Sequence, residues 1–366
     1  MPDDHRRRRQ ALRALLADRN ADALLVTNLL NVRYLTGFTG SNAALLVATE
    51  DSEDEARTII STDGRYLTQV AEQVPDLKAE ITRAVGTRLI ELAGGNGARR
   101  LGFESHVVTV DQHRAYADAA GNIELVRLPG LIEQLRMVKD EQEVALLRGA
   151  CAAADAALSQ LIENGGLRPG RSEREVAREL EFLMLEHGAD GISFETIVAA
   201  GSNSAIPHHR PTEAVLATGD FVKLDFGATL RGYHSDMTRT FVLETVADWQ
   251  RDVYELVARA QAAGRAALRP GAAVAEVDAA ARDLIDAAGH GDLFLHGLGH
   301  GVGLEIHEAP GIGKAATGTL LSGAVVTVEP GVYFSGRGGV RIEDTLVVRD
   351  EGPELLTLTS KELTVV

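Results

Sequence analysis

Leu167-Arg168-Pro169-Gly170 recurs as Leu268-Arg269-Pro270-Gly271, 101 residues further on, and each copy sits between two stretches of helical spacing. The register persists beyond it. At the same offset Glu175 and Val176 meet Glu276 and Val277, Leu183 meets Leu284, and Gly188 meets Gly289. Further on, Gly219 stands six residues before Asp225 and eight before Gly227, just as Gly323 stands six before Glu329 and eight before Gly331. Matches kept in the same order over so long a span predict a duplicated helix-helix-sheet unit, each copy delivering a carboxylate at the same place.

Ahead of the first copy a long helix is expected from about Asp140 to Asn164, with Val144, Leu147, Ala154, Leu158 and Leu161 near one face. Before it lie three apolar runs, Ala23 to Val26, Ala43 to Ala48 and Thr58 to Thr62, each bounded by turn-forming or acidic residues and read as strands. Helical stretches at 5–19, 65–74, 83–93 and 111–120 complete a small α/β domain that Pro129 and Gly130 bring to an end. The predicted organisation is therefore an N-terminal domain over 1–132 and a larger domain over 133–366.

Composition excludes several classes. At 366 residues the chain can bury a core without staples, and 45% hydrophobic with 25% charged residues is ordinary for a soluble globular protein. A net charge of -16 argues against nucleic-acid partners, which need a concentrated basic surface. No apolar run is long enough to predict a membrane span. Arg6 to Arg9 precede Leu12, Leu15 and Leu16 at helical spacing and read as a solvated helix face rather than a targeting signal. The single cysteine, Cys151, lies in an alanine-rich helical stretch and reads as a small buried hydrophobe; a cytoplasmic location is expected.

Acidic residues inside apolar strands carry the chemistry. Phe221 to Phe226 alternates as a strand should and contains Asp225, and a second strand from Tyr233 to Leu243 contains Asp236. Two carboxylates facing each other across adjacent strands repel unless a cation lies between them. The second half repeats the arrangement, with Glu329 ending the strand from Val325 and Glu343 inside the strand from Val340 to Val348. Between them runs His296-Gly-Leu-Gly-His300-Gly-Val-Gly-Leu-Glu-Ile-His307-Glu308, where glycine at every second position rules out a helix and implies an extended backbone packed close against something. Four carboxylates and one imidazole sum to a formal charge of about -4, which two divalent ions would cancel, and oxygen-rich ligation suits manganese or cobalt better than a thiol-rich structural zinc site. Two ions about 3.5 to 4 Å apart share and acidify a bridging water and polarise a carbonyl, which is machinery for hydrolysing an amide or ester.

Together these motifs resemble the pita-bread metalloexopeptidases, and Asn31-Val-Arg-Tyr-Leu-Thr-Gly-Phe-Thr-Gly-Ser-Asn42 with Thr62-Asp-Gly-Arg-Tyr66 resembles the creatinase-type N-terminal domain of the proline-specific branch. The resemblance covers nearly the whole chain. It implies a pita-bread catalytic domain of two pseudo-symmetric helix-helix-sheet halves behind a smaller α/β creatinase-like domain, and a homodimer. It also implies five metal ligands, Asp225, Asp236, His300, Glu329 and Glu343, holding two divalent ions, manganese first with cobalt or zinc as alternatives. By the same resemblance His208 and His307 assist catalysis, Glu329 accepts the proton of the bridging hydroxide's parent water, and His208, His296, Tyr333 and Arg341 meet the substrate. His209 stands beside His208 and competes with it for the catalytic role. The implied substrate is a peptide with proline at its second position, whose tertiary amide lacks an N–H and needs a dedicated pocket.

Several dipeptidases of the branch place an arginine four residues after the position of His307, and here that position is Gly311. This departure favours an Xaa-Pro aminopeptidase over an Xaa-Pro dipeptidase. A metal-free creatinase or a non-catalytic binding module of the same fold is disfavoured by the intact set of five ligands.

Overall fold

Ala23-Leu24-Leu25-Val26 has no polar member and becomes strand β1 (Ala23–Val26), buried along its whole length as a central strand must be. The computed structural model describes residues 2–366, and the chain divides into two units, Met1–Arg136 and Met137–Val366. In the first unit β1 is followed by β2 (Ala43–Ala48), β3 (Ile59–Thr62), β4 (Lys78–Ile81), β5 (Arg100–Phe103) and β6 (Glu124–Arg127), paired in the order β4-β3-β2-β1-β5-β6. β1 and β2 are antiparallel while β5 and β6 continue the sheet in parallel. Helices Val85–Gly95 and Val110–Ala120 cover it, with Leu89, Ile90 and Tyr116 packing on Leu25, Leu46 and Leu101.

The arginine run at the N-terminus is not the uniformly solvated face expected from sequence. Arg9 is fully buried on helix Pro2–Asp18, donating from Nε to Glu55 at 3.0 Å, from Nη2 to Asp76 at 2.7 Å and from Nη1 to the Leu35 carbonyl at 2.8 Å. A guanidinium can be buried at such a place only because its donors all find acceptors.

The second unit contains the duplication. Its first half has helices Glu141–Glu163 and Glu173–Glu186, then β7 (Gly191–Ile192), β8 (Ile197–Ala200), β9 (Phe221–Phe226), β10 (Ala228–Leu230), β11 (Tyr233–His234) and β12 (Met237–Val242). Both helices start on reciprocal capping boxes, Asp140 with Glu143 and Ser172 with Glu175. The second half has helices Asp248–Ala267 and Val274–Ala287, then β13 (Gly299–Gly301), β14 (Glu308–Ile312), β15 (Val325–Val328), β16 (Gly331–Phe334), β17 (Gly338–Arg341), β18 (Asp344–Val347) and β19 (Glu354–Leu355). The sheets run β12-β9-β8 in one half and β14-β13-β15-β18-β19 in the other, with β11-β10-β7 and the β16-β17 hairpin beside them.

The repeated glycines have a shared physical cause. Gly170 and Gly271 both take positive φ, 91° and 82°, and donate to the carbonyls of Leu216 and Leu320 at 2.9 and 2.8 Å. Gly219 and Gly323 both sit at φ 84° and donate to Leu243 and Val348 at 2.8 Å. A side chain would strain each turn, so the two copies keep glycine at the same corners.

Each half has its own core, one around Leu158, Leu180, Leu224 and Phe226 and the other around Val257, Val277, Leu298 and Val328. Among the described residues, Glu141–Glu163 is the one helix long and apolar enough to cross a membrane by length and composition. Its Ala154, Leu158 and Leu161 lie in the first of these cores against Val176 and Leu180.

Two expected strands are interrupted. Tyr233 to Leu243 breaks between β11 and β12, and Asp236 sits in the break. The β9/β12 register therefore sets Asp225 opposite Thr238 rather than opposite Asp236. Gly227 makes room for the break, since a Cβ there would lie 1.9 Å from the Ser235 carbonyl oxygen. Val340 to Val348 likewise splits between β17 and β18, and Glu343 occupies the gap, its amide donating to the Thr238 carbonyl across the two halves at 3.1 Å.

Candidate metal centre

Five side chains converge from both halves: Asp225 on β9, Asp236 before β12, His300 on β13, Glu329 just after β15 and Glu343 before β18. They line one cleft of about 300 Å³ together with His208, His209, His307, Phe194, Glu195 and Arg210. The glycines around His300 explain how its strand fits. A Cβ at Gly299 would stand 2.0 Å from the Thr327 carbonyl oxygen, and one at Gly301 would stand 2.3 Å from that of Ala309. β13 is thus pressed between β14 and β15, which fixes the direction of the His300 imidazole.

That imidazole carries the case for a cation. Its Nδ1 lies 3.0 Å from the Gly301 carbonyl, which only accepts, so Nδ1 holds the proton and Nε2 presents a lone pair. Nε2 faces Asp236 Oδ2 at 3.5 Å and Glu329 Oε1 at 3.6 Å. A lone pair between two carboxylates is unfavourable unless protons or metal ions lie among them. Ligand atoms of Asp236, His300 and Glu343 lie within 4.8 Å of one another. Asp225 Oδ1 is buried without a hydrogen-bond partner, while its Oδ2 accepts from Arg341 Nη2. These donors fit divalent ions: three buried carboxylates and the half-buried Glu329, one neutral imidazole, and an orphaned oxygen with nothing else to satisfy it.

Electrostatics say the same. Burial first, then the charge of Asp225, pushes the Glu343 carboxyl up to about 8, although Thr238 donates to its Oε2 at 2.7 Å. Burial and the neighbouring carboxylates push Asp236 and Glu329 well above the usual range. Burial pushes the His300 imidazole down to about 4, keeping it in the neutral form that ligates. In the metal-free protein such carboxyls hold protons that the unfolded chain releases. The stability they contribute is present below the ordinary glutamate value of 4.5 and is lost as pH rises through about 8 for Glu343. Divalent ions replace those protons. The gap in Tm between metal-loaded and chelator-treated protein is therefore expected to widen from about pH 6 to about pH 8. A gap that is constant or narrows in scanning fluorimetry would mean that these carboxyls do not hold the ions.

The remaining candidates fall into two groups. His208 and His307 line the cleft, and the His307 ring centroid stands 4.5 Å from that of His300. Burial, then the charge of Arg341, pushes the His208 imidazole down. His209 also lines the cleft, but its Nε2 is engaged 2.8 Å from Glu173. His296, Tyr333 and Arg341 do not line it. They form a chain: Arg341 donates to the Tyr333 hydroxyl at 2.8 Å, and that hydroxyl donates to His296 Nε2 at 2.9 Å, since His296 Nδ1 is committed to the Gly297 carbonyl at 2.8 Å. Burial, first, pushes the Tyr333 hydroxyl up to about 12, so it stays protonated.

Residues 145–350 match Metallopeptidase family M24, and residues 8–138 match the Creatinase/Prolidase N-terminal domain. The chain belongs to metallopeptidase family M24. The structure of an Xaa-Pro dipeptidase from Bacillus anthracis superposes on it with TM-score 0.94 at 38% identity, covering 99% of this chain and 100% of that one. An Xaa-Pro dipeptidase from Pyrococcus furiosus is 42% identical over 240 residues, 66% of this chain and 68% of the relative. An X-Pro aminopeptidase structure from Thermotoga maritima reaches TM-score 0.86 at 31% identity, covering 98% and 99%. This M24 metallopeptidase is a hydrolase with a mixed α/β pita-bread domain and a creatinase-type N-terminal domain.

Two further residues of this M24 chain, absent from the candidates above, hold the loop carrying His208. Lys223, fully buried on β9, donates from Nζ to the carbonyls of Ser204 at 3.1 Å, Ile206 at 2.7 Å and Pro207 at 3.3 Å. Glu173, also fully buried, accepts from the Ala200 and Thr212 amides at 2.9 Å, Asn203 Nδ2 at 2.9 Å and the Thr212 hydroxyl at 2.7 Å, besides His209. A lysine inside an apolar strand is a usable signal in sequence; a glutamate in the first turn of a helix cannot be told there from ordinary dipole complementation. Cys151 is buried, and burial pushes its thiol well up, in keeping with an inert core residue.

Proposed function

We propose that this chain is an Xaa-Pro dipeptidase holding two divalent ions, manganese by preference of the oxygen-rich donor set. The observation that carries the hydrolytic reading is the His300 lone pair directed at Asp236 and Glu329. The choice of dipeptidase over aminopeptidase draws its support from relatives named Xaa-Pro dipeptidase, which outweigh the glycine at position 311. Gly311 lies on β14, is not among the residues lining the cleft, and a Cβ there would meet nothing within 4 Å. An anchor for the substrate carboxylate has to come from elsewhere in the cleft.

When bound, the two ions supply Lewis acidity and an acidified water for attack on the amide. Asp225, Asp236, His300, Glu329 and Glu343 would hold them, and Glu329 takes a proton from the attacking water and returns it to the proline nitrogen as the C–N bond breaks. His208, neutral at physiological pH, donates an N–H to the carbonyl oxygen as negative charge develops there. His307 faces the same space and donates to the substrate next to the scissile bond. Arg341, bound to Asp225 and Tyr333, keeps one ligand oriented, and the Tyr333 hydroxyl in turn holds the His296 ring through Nε2.

The test is hydrolysis of Ala-Pro and Ala-Pro-Ala by manganese-loaded protein, with products identified by mass. Free alanine and proline from the dipeptide, a resistant tripeptide, and loss of turnover in EDTA are expected. Alanine released from the tripeptide alone would make the enzyme an aminopeptidase. Cleavage of neither would point to a fold retained for binding.

A further inference from the structure

The cleft leads outward from the five ligands past Phe194, Glu195, His209 and Arg210. Among the described residues lining it, Arg210 carries the only permanent positive charge, against the carboxylates of Glu195, Asp225, Asp236, Glu329 and Glu343. Four of those surround the metal centre; the fifth, Glu195, holds Arg210 through Nε at 3.0 Å. Both partners are open to water, Arg210 at 82% and Glu195 at 62% of full side-chain exposure, so the pair is weakly held and readily exchanged.

The backbone beneath Arg210 is rigid by contrast. On one side His209 is tied to Glu173, and on the other the amide and hydroxyl of Thr212 are tied to the same carboxylate. A mobile guanidinium on a fixed loop can close on an anion without disturbing its neighbour His208. The scale agrees. Arg210 stands two residues from His208, about 7 Å along an extended chain, and in a dipeptide the free carboxylate stands one residue, about 4 Å, beyond the scissile bond. The planar fork of an arginine matches a carboxylate with two parallel hydrogen bonds.

We propose that Arg210 anchors the free carboxylate of the substrate's C-terminal proline, and that Glu195 is the resident carboxylate the substrate displaces. This rests on the dipeptidase reading above. In a longer peptide the same position is an uncharged amide, so the contact separates dipeptides from longer chains. Arg210 is in this account a specificity-determining residue.

The experiment compares kcat/KM for Ala-Pro with that for its C-terminal amide, using manganese-loaded wild type, Arg210→Lys, Arg210→Gln and Glu195→Gln, with metal content and circular dichroism read on every variant. The ratio between the two substrates reports the carboxylate alone. In wild type the dipeptide is favoured. Arg210→Gln lowers the ratio about ten- to a hundredfold, mostly through KM for the dipeptide; Arg210→Lys falls between, and Glu195→Gln raises the ratio. A wild-type preference for the dipeptide that survives Arg210→Gln would overturn the anchor and leave the dipeptidase reading standing. A wild-type ratio near one would overturn that reading and the anchor with it.

Discussion

Asp236→Asn is expected to abolish peptidase activity, lowering kcat/KM by more than about 10³-fold, while making the metal-free protein harder to melt. Both effects come from one carboxylate. Asp236 is 5% exposed, 3.5 Å from the bare nitrogen of His300, and burial together with Glu343, Asp225 and Glu329 pushes its carboxyl well above the usual range. Asparagine keeps the shape and removes the charge that a divalent ion needs. Altering groups that merely support a ligand commonly costs about 10- to 100-fold in metal affinity or activity, so loss of a direct ligand exceeds that. In chelator near pH 8 the substitution removes one of four crowded carboxyls, and Tm rises because less repulsion or forced protonation remains in the folded state. Metal content by mass spectrometry and Tm in EDTA are the measurements. Full metal content with retained turnover would remove Asp236 from the ligand set; a lower Tm in EDTA would mean that its carboxylate is held by attraction rather than crowded by like charge.

The legibility of this site followed from what burial costs. Acidic residues within apolar stretches are expensive to bury, so Asp225, Asp236, Glu329 and Glu343 stand out in the amino-acid sequence by themselves, and the fold gathers them into one cleft. The duplication was legible for a related reason. Gly170 and Gly271, with Gly219 and Gly323, occupy positive-φ corners where other residues are strained, and such corners keep their identity when the packing around them diverges. What stayed hidden depends on tertiary contact. β4 reads Lys78-Ala-Glu-Ile81, is mostly exposed, and alternates over only four residues, too short a run to mark an edge strand. The breaks that carry Asp236 and Glu343 are invisible in sequence, because Val340 to Val348 and Tyr233 to Leu243 look like uninterrupted strands. Arg9 looked solvated beside three other arginines, and only the approach of Glu55 and Asp76 from distant segments explains its burial.

Lys223→Met is expected to slow turnover about 10²-fold with the metal content of wild type, and to do so through His208. The lysine ammonium has three donors, and they meet three carbonyls of the segment that ends at Pro207, immediately before His208. Arg341 adds a fourth tie to the Pro207 carbonyl at 3.2 Å. Methionine fills the same buried volume without the charge, so the fold survives, but the carbonyls lose their partner and the loop relaxes. Displacing a catalytic group by about 1 Å is enough for a loss of this size. His208→Ala, which removes the proposed oxyanion donor itself, is expected to lower kcat about 10²- to 10³-fold with metal retained. The decisive measurement is the double variant. If Lys223 acts only by placing His208, the double variant is no slower than His208→Ala alone, because a missing imidazole cannot be misplaced. If the two losses multiply, Lys223 acts on another part of the site, for which one candidate is the Tyr333 ring 5.1 Å from its Nζ, and the chain through Tyr333 to His296 becomes the place to look.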